Sequence, residues 1–156
     1  MVLTDRKIRA KYTNTPLYFM LLLLVACSSN YEKIGPANIN TKEMKFAEQM
    51  ALKIMTKCDA YDYTPLTTAE ATPEAAKGFS ATVMQQSCDL LRNKYGAFRG
   101  LKFAEAYKPK ENNTHTIYRF KGNFKRAKKA PEIRVTIDQT GKFAGFYTIK
   151  WMDKLK

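Results

Sequence analysis

The chain has 156 residues, of which 27 are basic and 14 acidic, so its formal net charge at neutral pH is +13. This length suits a single domain with its own hydrophobic core. With one histidine and three cysteines, the chain has few residues for a multi-histidine metal site or a histidine-based catalytic triad. We therefore predict no metal and no cofactor. The charge favours anionic partners and says nothing about the fold.

The first 26 residues have the layout of an export signal. Four basic residues precede an uncharged run from Pro16 to Ala26. As a helix this run spans roughly 16 Å, against a membrane hydrocarbon core of about 30 Å. The run is short for a membrane span and typical of a signal peptide that is removed. We predict a signal peptide over residues 1–26.

The end of this signal, Leu24-Val25-Ala26-Cys27, resembles the lipobox of bacterial lipoproteins. In that family the signal is cut between the residues matching Ala26 and Cys27, and the cysteine carries the lipid, including palmitate. The resemblance implies a lipid-anchored protein of the cell envelope. Ser28 follows the cysteine where Asp would signal retention, which implies the outer membrane, facing the periplasm, in a Gram-negative cell. The alternative is a buried N-terminal helix, which would have to bury four consecutive leucines on all sides.

Export also limits the partners. A nucleic-acid partner would need a cytosolic address, so none is predicted. The membrane is the first partner, through the lipid anchor. An envelope protein or an anionic envelope polymer is the other partner class that the positive charge favours.

Residues 27–39 are interpreted as a lipidated tether, and a single domain is predicted over residues 40–156. Asn40 is predicted to cap the first helix, with Glu43 reaching back to it as in a capping box. Thr72-Pro73 opens a short second helix, and Ser80 caps a third that ends at Gly96. Two apolar stripes at helical spacing mark the buried faces: Ala47, Met50, Ala51, Ile54 and Cys58 on the first helix, and Met84, Cys88, Leu91 and Tyr95 on the third.

The stripes place Cys58 and Cys88 on the apolar faces of two helices, so the two side chains can approach each other if these faces share a core. An exported protein folds where disulfides form. We therefore predict a bond between them, with two separate buried thiols as the alternative.

After Gly96 the hydrophobic period changes from helical to alternating. Four strands are predicted, within residues 101–107, 116–124, 133–137 and 143–151. The first is expected to place four residues on one face: Leu101, Phe103, Glu105 and Tyr107. N-terminal helices packed on a four-stranded antiparallel meander form an α+β fold.

Two segments resemble motifs of uncharacterised bacterial envelope domains with a cystatin-like or nuclear transport factor 2-like fold. They are residues 94–98, "KYGAF", and residues 138–146, "DQTGKFAGF". The resemblance implies a sheet curled around the helices into a cone-shaped pocket, which serves as an enzyme site, a ligand site or only a core.

Tyrosines are the candidate pocket residues: Tyr107, Tyr118 and Tyr147 on the sheet, with Tyr61 and Tyr63 at its mouth. Aromatic residues at strand spacing are also typical of a plain core. The function expected first is non-catalytic binding of unknown specificity. The alternative is a small cone-fold enzyme that uses a pocket tyrosine and a carboxylate for acid–base chemistry.

A basic loop lies between the second and third predicted strands. Its cations are Lys125, Arg126, Lys128 and Lys129. The interpretation expected first is a solvated hairpin tip, and contact of these four cations with an anionic surface is the functional alternative.

Overall fold

The computed structural model describes residues 30–153 and residue 155. In chain order the elements are β1 (Tyr31–Lys33), a 3-10 turn (Pro36–Asn38), α1 (Thr41–Asp59), α2 (Pro73–Gly78), α3 (Ala81–Tyr95), β2 (Phe98–Pro109), β3 (His115–Phe124), β4 (Glu132–Asp138) and β5 (Phe143–Ile149). Each strand pairs antiparallel with the next, in the order β1-β2-β3-β4-β5. The predicted α+β class is confirmed, with five strands in the described chain where four were expected.

The additional strand comes from the segment predicted to be a tether. Tyr31–Lys33 pairs with residues 107–109 of β2, and the carbonyl of Asn30 accepts a hydrogen bond from the amide of Lys110. The prediction of a tether over residues 27–39 and of a domain beginning at residue 40 is therefore wrong for residues 31–39. An edge strand of three residues is too short to show an alternating hydrophobic pattern in the sequence. It is recognised only from its pairing with β2.

The helices begin where their caps predict. The side chain of Asn40 accepts hydrogen bonds from the amides of Lys42 and Glu43, and the hydroxyls of Thr72 and Ser80 cap α2 and α3. The reciprocal half of the capping box is not formed, because the carboxylate of Glu43 accepts a hydrogen bond from a sheet tyrosine.

The main core lies between α1 and one face of the sheet, called the inner face below. All five predicted α1 stripe residues are buried. From β3 and β4 the inner face contributes Tyr118, Phe120, Phe124, Ile133, Val135 and Ile137. Cys58 and Cys88 are bonded, which joins the end of α1 to the middle of α3. The predicted disulfide is confirmed.

The alternation predicted for the first long strand breaks at a bulge. The register of β2 on β3 shifts between Phe103 and Glu105. Phe103 packs on the main core, whereas Glu105 contacts Arg119 and Tyr107 joins a second cluster on the opposite, outer face. Because one extra residue reverses the facing of everything after it, the expectation of one shared face is wrong beyond Phe103.

The last strand ends at Ile149, two residues before the predicted end at Trp151. The chain then crosses the outer face of the sheet. The indole of Trp151 lies over the guanidinium of Arg119, and Leu155 is buried against Tyr107 and Ile117. We call the described residues of this end, 150–153 and 155, the C-terminal segment.

Candidate functional site

An apolar groove lies between the α2–α3 pair and β5. Its volume is about 530 Å³. Its lining is mostly apolar and includes Ile54, Ala75, Phe79, Val83, Met84, Leu90, Leu91 and Phe146, with the Cys58–Cys88 bond as part of its wall. β5 is an edge strand of the described sheet and carries no charged residue over its seven residues.

Two large apolar side chains on the lip of this groove face solvent. Leu90 is 70% exposed and Val83 is 46% exposed, both on α3. Neither belongs to the predicted stripe of α3, because that stripe marks the face turned to the core. Apolar side chains grouped beside a groove are typical of a binding surface, in contrast to isolated exposed ones.

The wall around the disulfide is held by Arg92. Its guanidinium donates hydrogen bonds to the carbonyl of Cys58, to the carboxylate of Asp89 and, at 3.1 Å, to the hydroxyl of Tyr63. It also stacks at 4.0 Å over the ring of Tyr61. The two tyrosines expected at a pocket mouth thus pack around this arginine beside the disulfide.

The structure does not bring the three sheet tyrosines together. Tyr118 lies in the core of the inner face, 1% exposed, and Tyr107 lies in the outer-face cluster. Tyr147 is 60% exposed and pairs with Arg134 in the β4–β5 register. The bulge in β2 is the physical reason for the different position of Tyr107.

One tyrosine–carboxylate pair does form. The hydroxyl of Tyr118 donates to Oε1 of Glu43 at 3.0 Å, beside a polar pocket of about 360 Å³ that Asn40 and Lys108 help to line. Burial, with the nearby charge and hydrogen bond of Glu43, raises the pKa of Tyr118 well above its ordinary value. The phenol therefore stays protonated and acts as a hydrogen-bond donor.

The outer face carries a buried charged cluster. Arg119, fully buried, donates to both carboxylate oxygens of Glu132, at 2.8 and 2.6 Å, and also to Glu105. Arg134 donates to Glu132 at 2.8 Å, and Lys33 lies 2.6 Å from Glu105. Every carboxylate of the cluster thus has two cationic partners.

The C-terminal segment covers this cluster. Arg119 also donates to the carbonyl of Met152, and its guanidinium lies 4.4 Å from the Trp151 ring centroid. Burial raises the pKa of Glu132, but the hydrogen bonds and charges of Arg119 and Arg134 outweigh it and hold that pKa below its ordinary value. Sequence reasoning missed the cluster, although an acid at Glu105 within an apolar alternation was a signal of it.

The predicted basic loop divides into two parts. Arg126 donates to the carbonyls of Arg92 and, at 2.8 Å, Asn93, so it caps the C-terminal end of α3. The other three cations of the loop are exposed: Lys125, Lys128 and Lys129. Within residues 30–153 and 155, no carboxylate forms an ion pair with any of these three.

The lipidation and cleavage sites predicted at Cys27 and Ala26 lie outside the described residues. In the described part of the chain, no helix is long and apolar enough to cross a membrane. The same residues hold no cluster of three or more histidine, cysteine, aspartate or glutamate side chains placed to bind a metal ion. Comparison of the chain with protein families, with curated proteins and with solved structures finds no match to any of them.

Proposed function

We propose that this protein is a lipid-anchored lipoprotein of the bacterial cell envelope whose single domain is a non-catalytic binding module. The anchor is Cys27, and the signal over residues 1–26 is removed. Two or three acyl chains, each stabilised by about 0.8 kcal/mol per buried methylene, hold a protein stably on a membrane. The Cys58–Cys88 bond supports export, because disulfides persist in oxidising compartments. The localisation that Ser28 favours is the periplasmic side of the outer membrane.

The observation that carries the binding function is the apolar groove with Val83 and Leu90 exposed on its lip. Leaving large apolar side chains in water is unfavourable, and covering them with a partner recovers roughly 25 cal/mol per Å² of apolar area. The fold proposed for the module is cystatin-like, with the antiparallel sheet packed on α1.

Two measurements test this proposal. Cys27→Ser should abolish metabolic labelling with palmitate and move the protein out of the membrane fraction or leave it as precursor. A mutant that is still labelled and still sediments with membranes contradicts the anchor.

The groove is tested by placing a photo-crosslinking amino acid at Leu90 in whole cells. The matched control is the same amino acid at Gln85, which is exposed on the same helix and does not line the groove. We expect a discrete crosslinked product from position 90 only. Identical patterns from both positions contradict the groove as the binding site.

The alternative function, a small enzyme with a tyrosine–carboxylate pair, has the Tyr118–Glu43 hydrogen bond in its favour. Its chemistry would be proton donation, because the raised pKa of Tyr118 excludes a phenolate base near neutral pH. If the crosslinked product from position 90 still forms in the Tyr118→Phe variant, the binding proposal is supported over the enzyme.

A further inference from the structure

The point at which the chain enters the fold determines which end of the domain an anchor holds. Only Ser28 and Ser29 separate Cys27 from Asn30, where the described structure begins. Three residue steps extend at most about 11 Å. The carbonyl of Asn30 is already bound by the amide of Lys110 at 2.9 Å, so the anchor is close to the turn between β2 and β3.

The basic loop lies at the opposite end of the same strand. Tyr31 pairs with Pro109 at one end of β2, and Phe98 pairs with Phe124 at the other. Eleven residue steps of about 3.3 Å place these ends roughly 35 Å apart. Electrostatic attraction between exposed charges decays over about 8 Å at physiological ionic strength. With the sheet upright on its anchor, this loop is out of reach of the bilayer that holds Cys27.

Two lysines extend the positive surface from the loop onto the outer face. Lys102 and Lys121 are exposed and directly opposite each other in the β2–β3 register. Like charges in this position destabilise a sheet. Neither lysine has an ion-pair partner in the described part of the chain, although Lys121 lies 4.9 Å from the Trp151 ring centroid. We define the distal basic surface as Lys102, Lys121, Lys125, Lys128 and Lys129.

We propose that the distal basic surface binds the carboxylate-bearing polymer of the cell wall, so that the domain bridges from its membrane anchor to peptidoglycan. This inference rests on the proposed lipid anchor for its orientation. Uncompensated cations at the end far from the anchor fit an extended polyanion that lies away from the bilayer. An anionic polymer also removes the repulsion between the paired lysines by supplying the missing negative charge.

The test uses the full mature chain, solubilised in detergent, and purified peptidoglycan sacculi as the probe. The variant is Lys125→Gln/Lys128→Gln/Lys129→Gln. The control, Lys42→Gln/Lys45→Gln/Lys110→Gln, removes the same charge from exposed lysines on α1 and the β2–β3 turn. We expect the loop variant to sediment with sacculi at least about tenfold less at low salt, with the difference shrinking as salt rises. Equal retention of the loop variant and wild type, or equal losses in both variants, overturns the proposal.

A second measurement distinguishes the wall from the membrane. The lipidated protein is reconstituted in vesicles of phosphatidylethanolamine and phosphatidylglycerol, and lysine acylation is followed by mass spectrometry. We expect Lys128 and Lys129 to react freely on vesicles and to be shielded once sacculi are added. Shielding of these lysines by the vesicles alone means that the domain lies flat on the bilayer, which overturns the proposal.

Palmitate labelling of the same preparation separates this inference from the anchor. Labelled protein whose retention on sacculi is indifferent to the loop lysines overturns the surface and leaves the anchor intact. Unlabelled protein with loop-dependent retention overturns the anchor and leaves the polymer-binding surface intact.

Discussion

The two faces of the sheet are buried by different means. The inner face packs aromatic and aliphatic residues such as Phe120 and Val135 against α1. On the outer face, one residue away along β3, the fully buried side chain is Arg119, which is neutralised by Glu105 and Glu132 and covered by Trp151. Two consecutive residues of β3 thus lie in different surroundings: Arg119 in an ionic cluster and Phe120 in an apolar core.

The difference shows what each face requires of the chain. An apolar face tolerates many substitutions of similar volume. A buried ion pair is stable only while both partners are present, because either partner left alone is a buried charge that neither water nor an opposite charge stabilises. The stability of the outer face therefore depends on cluster contacts between residues far apart in the sequence, from Lys33 to Met152. The inner face depends mainly on volume.

The largest expected effect comes from Arg119→Ala. This change leaves Glu132 fully buried without its bidentate partner, and we expect the free energy of unfolding to fall by about 3–5 kcal/mol. Chemical denaturation followed by circular dichroism measures the change. A loss below about 1 kcal/mol would mean that water or the C-terminal segment compensates the carboxylate.

The neighbouring Phe120→Ala is the matched change on the inner face. It should cost a similar amount, about 3–5 kcal/mol, through the cavity it leaves.

The two faces are expected to differ in whether further substitutions can restore the lost stability. Combining Arg119→Met with Glu132→Leu and Arg134→Leu should recover most of the stability, because Glu105 keeps its pair with Lys33 and apolar residues often replace a buried ion pair at little cost. Failure of this rescue would show that the ionic cluster is needed for more than charge neutralisation.

The second effect concerns the helical layer that covers the inner face. Cys58→Ala/Cys88→Ala removes a cross-link between residues 30 positions apart, worth about 3–4 kcal/mol through the entropy of the unfolded chain. The loss should appear in the melting midpoint, while the native fluorescence of Trp151, the one tryptophan of the chain, stays unchanged on the outer face. Free alkylation of both cysteines in wild-type protein under denaturing, non-reducing conditions would contradict the bond.

Local signals made most of the helical layer predictable from the sequence. Asn40 and Ser80 cap their helices through contacts within three residues, and the stripes that paired Cys58 with Cys88 need only helical spacing. The bulge after Phe103 and the outer-face cluster were not predictable in this way. They depend on strand register and on the return of the C-terminal segment, which are contacts between residues far apart in sequence.

The candidate site shows the same division. The basic loop could be read from its lysines, but its distance from the anchor depends on the pairing of Tyr31–Lys33 with β2. The groove beside α3 was missed because Val83 and Leu90 lie off the apolar stripe. Single apolar residues outside a stripe do not show in the sequence that β5 packs beside them. The three tyrosines were grouped by an alternation that the bulge interrupts.

An intermediate effect is expected from Glu132→Gln, which keeps the shape of the side chain and removes its charge. At neutral pH the loss of charge-assisted hydrogen bonds should cost about 1.5–3 kcal/mol. Because the folded protein holds the pKa of Glu132 below the ordinary 4.5, the carboxylate stabilises the fold above that pH, and this contribution is lost as the pH falls toward the folded pKa. The difference between wild type and variant should therefore shrink in acid.

Urea denaturation at a series of pH values from neutral to acid measures this dependence. The control is Glu111→Gln in the exposed β2–β3 turn, expected to change stability by less than about 0.5 kcal/mol. A difference between wild type and Glu132→Gln that stays constant with pH would show that the carboxylate contributes by shape alone.

The smallest effect is expected on the inner face, from Tyr118→Phe. The ring stays in the core and only the hydrogen bond to Glu43 is lost, so the cost should be about 1 kcal/mol at neutral pH. Burial and Glu43 raise the pKa of the folded phenol above its ordinary value of 10.0, so its contribution is complete below pH 10 and decreases at higher pH as the unfolded chain ionises. The advantage of wild type over the variant should accordingly narrow in alkali.

Tyr147→Phe, at an exposed position, is the control and should stay within about 0.5 kcal/mol of wild type. A cost for Tyr118→Phe as large as that for Arg119→Ala would show that the inner face, like the outer, depends on a polar contact.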